Sequence, residues 1–164
     1  MRNNFCELCQ TNLFRLQFSS GCVMLSKKEE NEMAFLQVEF FSQALEVASA
    51  VNVLLPEGDM GIGVKAGGGT RLPKVLYLLH GGSGDDSDYV NFTNIVRYAD
   101  DNKIAVIMPN DYNACYTDSL DGSVKYYSFL TEELPLVCRT MFPISDKRED
   151  TFIAGLSMGS HGAM

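Results

Sequence analysis

Near the end of the 164-residue chain, Gly155-Leu156-Ser157-Met158-Gly159 has the spacing that presents a nucleophilic serine. The apolar run Thr151-Phe152-Ile153-Ala154 leads directly into it. A strand there must turn sharply into a helix and carry Ser157 at the tip, and glycines two residues to either side leave room for the turn. A helix beginning at Met158 adds free amides and a positive dipole end, which favour an oxyanion beside the serine. The chemistry predicted is acyl transfer.

Acyl transfer needs two donors aimed at the developing oxyanion, one after the nucleophile and one from a loop after an earlier strand. The segment Leu79-His80-Gly81-Gly82-Ser83-Gly84 suits the second place. The amides of Met158 and Gly82 are the candidate oxyanion hole, with Gly81 allowing close backbone approach. His80 precedes the oxyanion glycine and is expected to hold the loop by hydrogen bonding rather than to act on substrate. His161, the other of the two histidines, lies one helical turn beyond Ser157 and would have to reach back past its own helix start. It is not expected to serve as base, and without one the hydroxyl stays protonated and weakly nucleophilic. In hydrolases with this elbow the acid and the histidine follow the serine on later loops. The triad Asp and His are therefore expected to be missing from these residues, and the chain alone to be inactive.

The elements that must position these groups are legible upstream. Lys74–Gly82 and Lys103–Asn110 contain continuous apolar runs, as in strands buried on both faces of a parallel sheet. Phe35–Ser42 and Ser49–Pro56 show partial alternation, as expected of early strands with one partly exposed face. After the first central strand, Phe92, Ile95, Val96 and Ala99 fall at helical spacing behind Asp and Ser caps. After the second, Leu130, Leu134, Val137 and Met141 form one stripe, with Pro135 expected to kink the helix. Thr151–Ala154 reads as a third buried strand. Strand, helix, strand, helix, strand implies right-handed crossovers and an α/β sheet covered on both sides.

Composition excludes several classes. With 46% hydrophobic and 21% charged residues the chain has the make-up of a globular domain. A net charge of −8 disfavours nucleic acid and anionic lipid surfaces as partners. No window is long and apolar enough to span a bilayer. The glycine-rich 61–69 lacks the order of a phosphate loop and precedes a strand, so a turn or mobile connection is expected. Gly155-Leu156-Ser157-Met158-Gly159 also imitates part of a dinucleotide fingerprint, but Ser157 stands where glycine must let the backbone approach pyrophosphate.

Residues 1–32 read as an N-terminal extension separate from the domain at 33–164. They carry four basic and four acidic side chains, so the whole acidic excess lies beyond them. Lys27-Lys28-Glu29-Glu30 can be encoded as a ribosome-binding sequence just before Met33, so this segment is expected to be a translated upstream region or an ordinary charged linker. Five cysteines, three of them before residue 23, form no disulfide framework, which fits a reducing compartment and a cytoplasmic protein. Cys6 and Cys9 lack the further ligands of a zinc site. Cys22 follows a stretch too polar to be a lipoprotein signal.

The segments Val51–Pro56, Lys74–Tyr89, Ala105–Asn110, Cys115–Asp118, Thr131–Pro135, Lys147–Asp150 and Thr151–Gly159 resemble, in that order, the tributyrin esterase group of the esterase D-like α/β-hydrolases, relatives of S-formylglutathione hydrolase. The resemblance covers nearly all of 33–164. It implies an α/β-hydrolase fold, a mostly parallel sheet with helices on both faces, here truncated just after the nucleophile elbow. It also implies hydrolysis of short-chain acyl esters by Ser157, with Gly82 and Met158 as oxyanion hole, no cofactor, no metal and a tendency to form homo-oligomers. Cys115, beside Tyr116, stands where relatives tend to have a bulky aromatic, so these two residues are expected at a wider pocket rim. Ser160-His161 replaces a more usual glycine-aromatic pair. The strand ending at Ala154 is internal in such sheets and would here be an edge, with marginal folding expected of the isolated chain. An S-formylglutathione-type thioesterase and a non-catalytic degenerate domain are the alternatives.

Overall fold

The computed structural model describes residues 33–58, 61–62 and 72–164, together with the strand residues 17–18 and 21–22. The chain divides into two units, Met1–Glu30 and Asn31–Met164. In the first, β1 (Gln17–Phe18) and β2 (Gly21–Cys22) form a short antiparallel pair. The Cys6/Cys9 pair and the run 27–32 lie outside the described residues.

The second unit is built on a mixed sheet. β3 (Met33–Ser42) and β4 (Val47–Gly58) form a long antiparallel hairpin, extended by a two-residue β5 (Gly61–Ile62). β6 (Val75–Leu79), β7 (Ala105–Pro109) and β8 (Thr151–Gly155) complete it in the order β3-β4-β7-β6-β8. β7, β6 and β8 run parallel, and β4 meets β7 antiparallel. All five residues of β7 are buried, as its unbroken apolar run requires at the centre of a sheet.

Side-chain alternation sorts the core into two layers. Val51, Val53, Leu55, Val75, Tyr77, Leu79, Ala105 and Ile107 share one cluster with Phe129, Leu130, Leu134 and Cys138. Leu54, Leu78, Val106 and Met108 share the other with Ala99, against which Ile95 and Val96 also pack. Each Val, Leu, Ile, Phe or Met side chain among them contributes about 1.5–3 kcal/mol when taken out of water. Helices thus cover both sheet faces: α1 (Asp88–Phe92) and α2 (Ile95–Asn102) one, α3 (Tyr126–Ser128) and α4 (Leu134–Met141) the other.

Three sequence expectations are corrected. The helix expected through Phe92 and Ala99 is two helices: Thr93 is extended, its hydroxyl donates to Tyr89 O and accepts from Ile95 N, and Phe92 is left 81% exposed. The stripe in the second helix ends early, for Cys138 is buried whereas Met141 lies in the exposed last turn. Between α3 and α4 the helix widens into a π turn, Phe129–Glu133, closed by Leu134 N on Phe129 O. That widening accommodates Pro135, whose ring conflicts with the carbonyl one α-turn back. Finally, β8 is not buried: Phe152 and Ile153 are 48% and 44% exposed, because β6 is its only strand neighbour among the described residues.

Candidate active site

The parallel strands end together, and the loops leaving them build the site. Ser157 joins β8 to α5 (Met158–Gly162) with φ 53° and ψ −112°. A non-glycine residue at such angles is strained by about 1–3 kcal/mol and persists only where its surroundings hold it. Those surroundings are bare backbone. A Cβ on Gly159 would stand 2.2 Å from Leu79 O and 2.7 Å from His80 O, and one on Gly155 would stand 2.4 Å from the Gly159 carbonyl carbon. Leu156 N donates to Leu79 O, tying the elbow to the end of β6.

The loop after β6 lies directly against this turn. A Cβ on Gly81 would be 3.4 Å from Leu156 O and 3.8 Å from Ser157 Cβ. His80 is 1% exposed and both ring nitrogens are committed: Nδ1 donates to Gly81 O at 2.7 Å, and Nε2 accepts Asp111 N at 3.0 Å. A ring that accepts an amide hydrogen bond is neutral at that nitrogen, so His80 is a buried tie, as expected from its place before the glycines. His161 is exposed on α5, and among the described residues no hydrogen bond joins Ser157 Oγ to either histidine.

Amide accounting shows what is left over. Gly84 N is bonded to Gly81 O, Ser83 N to Asn113 Oδ1, Gly159 N to Leu156 O, and Ser160 N and His161 N to Ser157 O. Among the described residues, Gly81 N, Gly82 N, Ser157 N and Met158 N have no acceptor. They belong to the two segments that meet at Ser157.

Cys115 is exposed, whereas Tyr116, which was expected beside it at a pocket rim, is 3% exposed in the core. The Tyr116 hydroxyl donates to His80 O, its ring meets the His80 ring edge-on at 5.8 Å, and its amide donates to Asp111 Oδ1 at 3.0 Å. Tyr116 therefore faces inward and ties its loop to the end of β6. Burial pushes its phenol further up, so it remains a donor. Burial likewise raises the Asp111 carboxyl to about 6 and the Cys138 thiol to about 12, which leaves Cys138 inert. Asp111 and Asn113 were not singled out by sequence reasoning. The signal available was Asn itself, which is enriched in left-handed backbone. Among the described residues no group of three or more His, Cys, Asp or Glu side chains is placed to hold a metal ion.

A strained serine between a parallel strand and a helix, at the parallel end of a mixed sheet flanked by helices, defines an α/β-hydrolase. The Esterase family model matches residues 42–164, and the chain belongs to that family. It is similar to the acetyl esterase of Caldicellulosiruptor saccharolyticus, 33% identical over 132 residues, which are 80% of this chain and 50% of that protein. Among solved structures it is similar to FphF of Staphylococcus aureus, a fluorophosphonate-binding serine hydrolase, with a TM-score of 0.67 and 35% identity over 77% of this chain and 48% of that one. It is also similar to the S-formylglutathione hydrolase FrmB of Staphylococcus aureus, with a TM-score of 0.65 and 36% identity over the same shares, 77% and 48%. The chain spans about half the length of the relatives it matches.

Proposed function

We propose that the intact protein is a cytoplasmic serine carboxylesterase for short-chain acyl esters of the tributyrin and acetyl-ester type. Ser157 is the nucleophile, and the amides of Gly82 and Met158 form the oxyanion hole. The observation that carries this reading is Ser157 at φ 53°, ψ −112°, beside two segments in which the amides of Gly82 and Met158 are without an acceptor among the described residues. Ser157 Oγ attacks the ester carbonyl, the alcohol leaves with a proton, and water then releases the acid from the acyl-serine. Among the described residues neither histidine hydrogen-bonds Ser157 Oγ, and the base and its carboxylate partner are expected outside these 164 residues. The 164-residue chain alone is accordingly expected not to turn over p-nitrophenyl butyrate. Exposed Cys115, where relatives tend to have a bulky aromatic, leaves the rim open to acyl groups larger than acetyl. No cofactor or metal is required, and association into homo-oligomers is expected.

The similarity to S-formylglutathione hydrolase favours one second reading, a thioesterase. Protein expressed from the intact gene separates the two when p-nitrophenyl acetate, p-nitrophenyl butyrate, tributyrin and S-formylglutathione are compared by kcat/KM. Ser157→Ala is expected to lose at least about 10³-fold on every substrate and to lose fluorophosphonate labelling. No turnover of any of the four substrates would exclude both enzymes and leave a non-catalytic domain.

A further inference from the structure

The loop after β7 concentrates left-handed backbone in residues that are not glycine: Tyr112, Asn113, Cys115 and Tyr116 have φ of 48°, 65°, 59° and 55°. Such a loop holds its shape only through contacts, and its contacts run to the loop after β6. Tyr116 grips the His80 carbonyl, and the Asp111 amide grips the His80 ring. Asn113 adds a third tie: its Oδ1 accepts Ser83 N at 2.6 Å, although the two residues are 30 apart in sequence. Asn113 is itself exposed and belongs to neither core cluster, so this bond is not a by-product of packing.

Its effect falls on the peptide beside the oxyanion donor. Ser83 N and Gly82 N are consecutive amides on a tight turn closed by Gly84 N on Gly81 O. With Ser83 N occupied, the Gly82–Ser83 peptide plane is anchored on one side. Gly82 N is then the free amide of the pair. An Asn113 Oδ1 that let go would free a second donor and allow the turn to rotate.

We propose that Asn113 is a positioning residue of the oxyanion hole, its side-chain oxygen engaging the Ser83 amide so that the Gly82 amide is held free beside Ser157. The inference rests on the esterase reading above. Because the oxyanion exists only along the reaction path, loss of this anchor lowers kcat and leaves substrate binding nearly unchanged. Removing an oxyanion donor outright costs about 10²–10³-fold, so loosening one is expected to cost about tenfold.

The test is Asn113→Gly in protein from the intact gene, since glycine accepts φ 65° and removes only the side chain. The expected result is a kcat about tenfold lower with KM within about twofold and a melting temperature within about 2 °C. A trifluoromethyl ketone, which forms a tetrahedral adduct on the serine, is expected to bind about tenfold more weakly, while inhibition by the product alcohol is unchanged. Asn113→Ala, which lacks the oxygen but keeps a Cβ, is expected to show the same split. Wild-type kcat in both variants, or equal weakening of ketone and alcohol, overturns the inference while Ser157-dependent turnover persists. If the wild type shows no Ser157-dependent turnover, the esterase reading fails first and the positioning role falls with it.

Discussion

Gly159→Ala tests the steric logic of the elbow directly. The added Cβ would lie 2.2 Å from Leu79 O and 2.7 Å from His80 O, both main-chain atoms at the end of β6. Carbon and oxygen need about 3.2 Å, so α5 and the strand end must separate by about 1 Å. Neither partner is a flexible side-chain tip. The strand end is held by Leu156 N and the Tyr89 hydroxyl on Leu79 O, and the helix start by Ser160 N and His161 N on Ser157 O. Overpacking of this kind costs about 1–3 kcal/mol. A 1 Å displacement of the nucleophile from its oxyanion donors costs about 10²-fold in rate.

Gly155→Ala drives its Cβ into the Gly159 carbonyl at 2.4 Å, so the two changes act on one contact and are expected to be less than additive. Gly82 is the control: a Cβ there meets nothing nearer than Asn113 Oδ1 at 3.9 Å. Its alanine variant is expected to stay within about 0.5 kcal/mol of wild type. Urea denaturation followed by circular dichroism gives the stabilities, and initial rates on p-nitrophenyl acetate give kcat. Wild-type stability and turnover in Gly159→Ala, or an equal loss of stability in Gly82→Ala, would refute the close-approach argument.

Three further outcomes are expected. Burial lifts the Asp111 carboxyl from near 4 to about 6, so the fold keeps a proton that the unfolded chain has released. The stability this gives is full below about pH 4 and is lost as pH rises through about 6, roughly 3 kcal/mol in all. Asp111→Asn should therefore gain on wild type between pH 4 and 7 in urea titrations, and a constant difference would sink the idea. Glu133 accepts Ser42 Oγ, Gln43 N and Ala44 N at the turn of the β3–β4 hairpin; desolvation opposes its ionisation, yet these three bonds hold the carboxyl below its usual value. Its contribution is present above about pH 4 and lost in more acid solution, so Glu133→Ala should cost about 1.5–3 kcal/mol at pH 7 and less at pH 3.5. Leu134→Ala should destabilise by about 2–5 kcal/mol and Met141→Ala by under about 0.5, since only the first is buried; equal losses in denaturant midpoints would contradict the helix phase.

The parts of the fold legible in sequence are those set by local chemistry. Two continuous apolar runs marked β6 and β7 because a strand covered on both faces cannot carry polar residues. Gly155 and Gly159 marked the elbow because only glycine leaves space between a helix start and a strand end. Phe92 and Met141 were misplaced because periodicity assumes an unbroken helix. A threonine hydroxyl interrupted the first helix, and the apolar cluster ended before the last turn of the second. Tyr116 was expected at the rim because residue type alone does not say whether a tyrosine points out or in. Its burial follows from the fold, since a Cβ on Gly162 would stand 2.7 Å from the Tyr116 side chain. The ties from Asp111 and Asn113 to the loop after β6 join residues about 30 apart through left-handed backbone, for which the sequence carries little more than one asparagine.

A site made of amides is specified by subtraction, and this explains why half of it is readable and half is not. The Met158 amide is free because the first residue of any helix lacks an intrahelical acceptor, a consequence of geometry that a strand-turn-helix pattern already predicts. The Gly82 amide has no such guarantee, for it lies in a turn where four consecutive peptides compete for the same few acceptors. The amides that follow it are taken, Ser83 by Asn113 and Gly84 by Gly81 O, with the His80 ring fastening the turn from within. On the proposed reading the glycine motif permits the oxyanion hole, and the loop after β7 selects which amide serves in it. Substitutions in that loop should therefore alter rate without touching the nucleophile, whereas substitutions at the elbow glycines should alter rate and stability together.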